Sequence, residues 1–381
     1  MNTYTIIIII SLIYGFLNTK YKFRNNITYF LLILLSFIVC FGYMTGSDWK
    51  TYELMYDDQA IDERMEVGYV LLNNTLSIII KDFFVYLGLL KVAVFLIMCK
   101  LALRSKANIP IFVMLLLSFG GFYLFIDNPL RNFLAIGFCV LSCKYIVRED
   151  LIRYILCILI ACSFHLSALI FIPAYWLSTI KIKSKWLFVI YITFFIVFST
   201  QSFLLDFINS IFGSFSFFNE KFAEYIDSDL YGTGKSISFG NVFNIALLIV
   251  ILRNRKQIVS SSIYGNLIFS FSYYYFLLYR FGASFSIFTR LQLYFVVFFS
   301  ISLSVIFIKE YSTLYKRILL LIIGVYCVLI VNLTVTSSEK YIPYSNYILY
   351  TITNNKKPYL VRLNYNLQHS PYKSTYKGTS K

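Results

Sequence analysis

The chain has 381 residues, of which 59% are hydrophobic and only 14% charged, with 39 Phe, 33 Tyr and a net charge of +16. Mean hydropathy is +0.72. A soluble globular domain is about half apolar and a quarter charged, so the composition excludes a soluble enzyme, a coiled coil and a disordered chain. It predicts an all-α, polytopic integral membrane protein. The surplus of Lys and Arg is of the kind that cytoplasmic loops of membrane proteins collect, and it does not call for nucleic acid as a partner.

A membrane-crossing helix needs about 20 predominantly apolar residues. Apolar stretches lie at 3–17, 27–45, 83–99, 108–126, 131–147, 151–180, 186–204, 240–252, 263–279, 286–308 and 315–336. The stretch 151–180 is too long for one pass and short for two, so it predicts two short helices meeting at Phe164–Leu166 around His165. The expectation is about 12 transmembrane helices. Nothing basic precedes the Ile6–Ile10 run and no small-residue cleavage site follows it, which reads as a retained first span with an outside N-terminus rather than a signal peptide.

Charge separates the loops. Lys20/Lys22/Arg24, Lys100/Arg104/Lys106, Lys144/Arg148/Arg153, Lys181/Lys183/Lys185, Arg253/Arg255/Lys256 and Lys309/Lys316/Arg317 fall on one side if 151–180 crosses twice. They hold 18 of the 34 basic residues. Two larger loops, about 46–82 and 205–239, fall on the other side and are acidic, the first with eight acids from Asp48 to Asp82. The positive-inside rule makes the basic side cytoplasmic and the two larger loops extracytoplasmic. The organisation read from this is one transmembrane domain, 1–337, followed by a basic tail, 338–381, which an even number of spans leaves outside. A re-entrant piece at Tyr341–Thr353 is the alternative that would return the tail to the cytoplasm.

All seven cysteines lie in apolar runs, with no CxxC and no Cys/His cluster of zinc spacing. They read as small buried hydrophobes. No cofactor and no metal site are expected.

Polar residues at membrane depth are expensive and therefore functional suspects. Asp48, with Trp49 and Tyr52 behind it, opens the first acidic loop. A carboxylate there could take a proton or orient a sugar hydroxyl, and the two rings could stack on a sugar. Glu66 precedes an amphiphilic segment, Val67–Ile80, that is too polar for a lipid-facing span and reads as lying at the outer interface. Arg131 and Asn132 follow a tight turn that also holds Asp127 and Asn128, and an arginine there offers planar donors to phosphate or carboxylate. His165 is a further proton-transfer candidate. Arg280 and Arg290 flank the hairpin Phe281–Thr289 and suit a diphosphate. Tyr344 forms an aromatic lip after the last span. Lys91, in mid-span, pairs internally or snorkels, and is assigned no role.

The order of these pieces resembles the EpsG-like family of Wzy-type polysaccharide polymerases. Gly46-Ser47-Asp48 with Tyr52 resembles the Gly-x-Asp-x-x-x-Tyr signature, Glu66-Val67-Gly68-Tyr69 its Glu-x-x-aromatic element, and Leu130-Arg131-Asn132 its Leu-Arg-Gln. Phe164-His165-Leu166-Ser167-Ala168 is similar to its Phe-His-x-Ser-Ala motif, the most specific of the matches. Arg290-Leu291 with Tyr294-Phe295 and the closing Pro343-Tyr344 complete the set, over about residues 40–345. The chain departs from the family pattern in having no arginine shortly before Gly46, and Asn132 where glutamine is usual.

The resemblance implies a multi-pass enzyme of the bacterial cytoplasmic (inner) membrane that joins oligosaccharide repeat units carried on undecaprenyl diphosphate, at the extracytoplasmic face, releasing undecaprenyl diphosphate. The product would be O-antigen (lipopolysaccharide), capsule or exopolysaccharide. It also implies a polysaccharide chain-length regulator as partner, besides the lipid bilayer. In this setting Asp48 and His165 are the candidate bases, with Arg131 and Arg290 as catalytic cations. Trp49, Tyr52, Glu66, Asn132, Arg280 and Tyr344 are candidate substrate contacts. Arginines could stand in for a divalent metal, so metal independence is expected. The alternatives are a flippase or transporter of lipid-linked oligosaccharide, which shares the polar cavity, and a lipid-linked glycan ligase, which differs mainly in its acceptor.

Overall fold

A computed structural model describes residues 2–20, 25–58, 65–198, 239–284, 288–308, 313–353 and 357–369. Nearly all of the expected loop 205–239 lies outside the described residues, as do Lys22, Arg24, Arg64 and Lys309. Among the described residues the fold is all-helical, with no strand and one isolated bridge from Gly42 to Asn346.

The chain order is α1 (Thr3–Lys20), α2 (Asn25–Cys40), α3 (Trp49–Asp58), α4 (Val67–Ile79), α5 (Phe83–Arg104) and α6 (Ile109–Leu116). Two π-helical stretches, Leu117–Gly121 and Tyr123–Asp127, extend α6. Then come α7 (Leu130–Val147), α8 (Leu151–Phe164), a 3-10 helix (Leu166–Ser178), α9 (Ser184–Val197), α10 (Phe239–Arg253), α11 (Arg255–Ser260) and α12 (Gly265–Ser284). The chain continues through α13 (Phe288–Gln292), α14 (Val296–Ile306), α15 (Leu314–Thr336), α16 (Tyr347–Ile352) and α17 (Tyr359–His369). Four helices are long and apolar enough to cross a membrane: Phe83–Arg104, Leu130–Val147, Thr289–Ile306 and Leu314–Thr336. Several shorter apolar helices accompany them.

Local chemistry sets the helix ends. Asp82 caps α5 by accepting from the amides of Phe84 (2.9 Å) and Val85 (3.1 Å), and Asp150 caps α8 through Arg153 N (3.0 Å). Each satisfies an orphan donor of a helix N-terminus. The expected break at 164–166 is present. His165 is extended (φ −161°, ψ 121°) between α8 and the 3-10 helix. A 3-10 helix rises about 2.0 Å per residue against about 1.5 Å for an α-helix. The 13 residues of Leu166–Ser178 therefore reach about 26 Å instead of roughly 20 Å. The stretch thus forms two segments, both among the shorter apolar helices.

Two polar layers mark the ends of the bundle. At one, the Asn108 side chain donates to Gly15 O (3.1 Å) and Phe307 O (3.2 Å). Gln257 joins Val305 O (2.8 Å) to Lys316 Nζ (2.7 Å), and Arg255 donates to the carbonyls of Ile180 and Ile182. The basic clusters near 100–106, 181–185, 253–256 and 316–317 border this layer. At the other end the backbone donates from Tyr43 to Ser345 O (2.9 Å), from Gly46 to Lys340 O (2.9 Å) and from Asp48 to Asp127 O (3.1 Å).

Helix α4 joins this second layer, because Tyr56 of α3 donates its hydroxyl to Ile80 O. Its exposed residues are apolar at Val67, Leu71, Ile78 and Ile79, the arrangement of a helix lying along an interface. The described part of the tail packs here as well. Arg362 of α17 holds Glu53 with two bonds, 2.6 and 2.7 Å, and Asn366 donates to Met44 O (2.7 Å) and Lys340 O (3.0 Å). The described part of the tail, 357–369, thus packs at the Asp48 end. Lys91 does not snorkel: it is 1% exposed, beside Cys40.

Candidate functional site

The loop ahead of α3 needs a glycine at position 46. Gly46 has φ +83°, and a Cβ there would lie 2.0 Å from Ile126 O. Only a residue without a side chain lets this loop nest against the turn at 126–127 in the left-handed region. The contact brings Asp48 N to Asp127 O and leaves the Asp48 carboxylate accepting from Ser47 Oγ at 2.8 Å. Burial pushes the Asp48 carboxyl above the ordinary carboxylate range, and nearby Asp127 adds to this. Ser47, Arg290 and Lys340 pull in the opposite direction. Asp127 is itself tied down by Tyr341 Oη (2.8 Å) and Lys340 Nζ (2.9 Å).

A second group forms where α4, α7 and α8 meet. A Cβ on Gly68 would lie 2.2 Å from Ser163 Oγ and 2.7 Å from Ser163 O, so this glycine admits the N-terminus of α4 to the C-terminus of α8. Glu66, at that N-terminus, then reaches two partners. Arg131 Nη1 donates to Oε2, and His165 Nδ1 lies 2.9 Å from Oε1. Arg131 Nε donates to Tyr52 Oη (3.3 Å), and the Tyr52 ring meets Tyr69 edge-on at 5.4 Å. The side chains of Glu66, Arg131 and His165 are 22%, 26% and 21% exposed, a cleft rather than a sealed core. Burial alone would raise the Glu66 carboxyl. The His165 hydrogen bond and the Arg131 charge overcome it and hold the group down, at about 2. Glu66 is therefore a carboxylate. Beneath it Ser167 Oγ and Tyr294 Oη lie 2.9 Å apart.

Residues that are 65 and 99 positions apart in sequence thus share one ion-paired cluster, and Asp48 joins it through Tyr52, whose amide donates to Asp48 O at 3.2 Å. Arg290 stands apart in one respect. Its guanidinium makes no hydrogen bond or ion pair to any described residue, while its charge acts on Asp48. It borders a cavity of about 480 Å³. Arg280, expected beside it, does not line that cavity. It is fully buried, with its guanidinium over the Phe195 ring at 4.5 Å.

Three other expected contacts sit elsewhere. Trp49 is 1% exposed, packed on Phe84 and Tyr359 and facing the Arg362 guanidinium. The Tyr344 hydroxyl is committed to Ile38 O (2.8 Å) and Asn346. Asn132 is buried one residue beyond Arg131, and its amide has no hydrogen-bond partner among the described residues. Sequence reasoning missed Lys340 as the partner of Asp127, and Gln292 and Tyr279 beside Arg290. The signal available for Gln292 was its amide inside an apolar run. Among the described residues no group of three or more His, Cys, Asp or Glu is placed to hold a metal ion.

The EpsG family model matches residues 25–347. No curated protein and no solved structure matches the chain.

Proposed function

The chain belongs to the EpsG family, which is associated with Wzy-like polysaccharide polymerases, and from that premise we propose that it is a glycosyltransferase joining oligosaccharide repeat units carried on undecaprenyl diphosphate. The observation that carries the reading is Arg290, which has no hydrogen bond or ion pair among the described residues, acting on Asp48 at the same end of the bundle as the Glu66–Arg131–His165 cluster. An anionic leaving group needs an uncommitted cation, and a hydroxyl nucleophile needs a base. Both are present at one end.

In the reaction, a hydroxyl of one lipid-linked unit attacks the anomeric carbon of the sugar held by diphosphate on the other. The new C–O bond forms as the bond to the diphosphate breaks. The hydroxyl proton goes to His165 Nε2, and undecaprenyl diphosphate leaves with its electron pair, its charge met by Arg290. Ionised Glu66 accepts from Nδ1–H and so leaves the Nε2 lone pair for the acceptor, in the manner of a carboxylate that fixes a histidine tautomer. It also stabilises the imidazolium that forms. Arg131 is largely neutralised by Glu66, which makes Arg290 the principal diphosphate contact. Asp48, with its raised affinity for a proton, orients the acceptor hydroxyl.

The reaction face is extracytoplasmic in this reading. The basic clusters at the opposite end support that orientation. The alternation of helix ends between the two layers supports twelve passes, counting the 3-10 helix as one, in a bacterial inner membrane.

The test is a polymer ladder resolved by gel in a strain deleted for the protein and complemented with wild type or variants, with membrane levels checked. Wild type restores the ladder. Arg290→Ala and His165→Ala leave single-repeat product. A full ladder from His165→Ala together with none from Asp48→Asn makes Asp48 the base. A deletion strain with no surface repeat unit at all refutes polymerisation in favour of transport.

A further inference from the structure

We propose that the cavity beside Arg290 is a saccharide subsite that receives the sugar ring bonded directly to the diphosphate. The inference rests on the polymerase reading and adds to it a place for the sugar. The cavity, about 480 Å³, falls in the size range of small-molecule sites, roughly 300–1,000 Å³. Its wall comes from the π-helical stretches after α6 and from α10, α12, α13 and α15.

The backbone points to a purpose. Phe119 (φ −109°, ψ 16°) and Gly120 (φ 150°, ψ −27°) leave helical geometry in the middle of an apolar segment. Irregular backbone at membrane depth is tolerated where it lines a cavity, and π-type interruptions gather at functional sites. Both residues line this cavity.

The side chains define the ligand. Tyr123 and Tyr279 bring aromatic rings with hydroxyls to the lining, groups that suit the apolar face and the hydroxyl rim of a pyranose, while Tyr326 is stacked on Phe243 at 3.7 Å and forms the wall. Asn244 also lines the cavity, its NH2 held by Gly240 O at 2.9 Å. Gln292, only 7% exposed, lines the cavity and makes no side-chain hydrogen bond to any described residue. Its amide is open to the cavity, and a ligand that fills the cavity without pairing with it desolvates it at a cost that a ligand hydroxyl avoids. A polyprenyl tail could not do this, and would leave the amides and the guanidinium desolvated. Arg290 borders the cavity and its charge acts on Asp48, so the cavity adjoins the cation that would hold the diphosphate.

The experiment measures binding to the full-length protein in nanodiscs of farnesyl diphosphate, a set of farnesyl diphosphohexoses, and farnesol. At least one sugar-bearing probe is expected to bind wild type roughly tenfold more tightly than farnesyl diphosphate. Gln292→Leu and Tyr279→Phe are expected to abolish that difference while leaving the affinity for farnesyl diphosphate unchanged, which also reports that the variants are folded. Equal binding of all diphosphate probes to wild type overturns the subsite alone. Competition by farnesol, with both variants weakening every probe alike, makes the cavity a lipid-tail pocket and also overturns it. If no diphosphate probe binds wild type, the polymerase reading falls and the subsite with it.

Discussion

Replacing Glu66 by glutamine tests the core of the site with almost no change in shape. The carboxylate accepts from Arg131 on one oxygen and from His165 Nδ1 on the other. A glutamine presents one acceptor and one NH2 donor. If its oxygen keeps Arg131, its NH2 faces Nδ1, and the imidazole must move its proton to Nε2. The base is then in the wrong tautomer. General-base catalysis contributes about 10²–10⁴ in rate, and a loss in that range is expected for Glu66→Gln. The stability effect follows from the depression of the Glu66 pKa from 4.5 to about 2. At about 1.36 kcal/mol per unit this is roughly 3 kcal/mol, and solvent screening at a partly exposed carboxylate brings it to about 2 kcal/mol. A depressed carboxyl contributes stability that is fully present above its unfolded value and lost as pH falls through its folded value. The Glu66 contribution is therefore intact above about 4.5 and disappears on descending towards about 2, and the variant lacks that dependence. The assays are ladder extension from lipid-linked repeat units in membrane vesicles, across pH, and thermal unfolding in detergent. Glu66→Gln with wild-type rate and wild-type pH profile refutes the tautomer argument and removes His165 as the base.

Three further outcomes are expected. Asp48→Asn abolishes or strongly lowers polymer extension yet raises the unfolding temperature at neutral pH, because a carboxyl whose pKa is raised by burial opposes folding when ionised. Gly46→Ala lowers membrane-inserted protein and melting temperature. The positive φ alone costs about 1–3 kcal/mol, and the 2.0 Å approach to Ile126 O forces the loop off the 126–127 turn. Arg362→Ala leaves the buried Glu53 carboxylate without its two donors and destabilises by about 3–5 kcal/mol. The double variant Arg362→Met with Glu53→Met recovers most of that loss in the same unfolding assay.

Several elements are legible in the amino-acid sequence. The long stretch 151–180 announced its break, and the cost of a histidine inside it located the break at His165. Glu66, Arg131 and Arg290 each stood out for the same reason. Asp48 was legible through the Gly-x-Asp spacing, although the spacing did not say that Gly46 is required for close approach to another turn. Other expectations were adjusted by packing. Trp49 reads as a stacking platform beside Asp48, yet its face is covered by α17, whose helical pattern gives no hint of where it docks. Arg280 and Arg290 read as a pair about one hairpin, but one is packed on Phe195 and the other borders the cavity.

Composition and the long, uniform apolar runs by themselves pointed to a helical membrane protein, because lipid admits only helices and closed barrels and these runs lack a barrel's alternation. They also determined which residues are too polar for their surroundings to be incidental. Pairing was decided only by the tertiary structure. Whether an arginine is neutralised, as Arg131 is by Glu66, or left without a partner among the described residues, as Arg290 is, depends on which helix end lies within about 3 Å of it. That distance is set by glycine contacts and packing between segments up to 309 residues apart, and no local pattern encodes it.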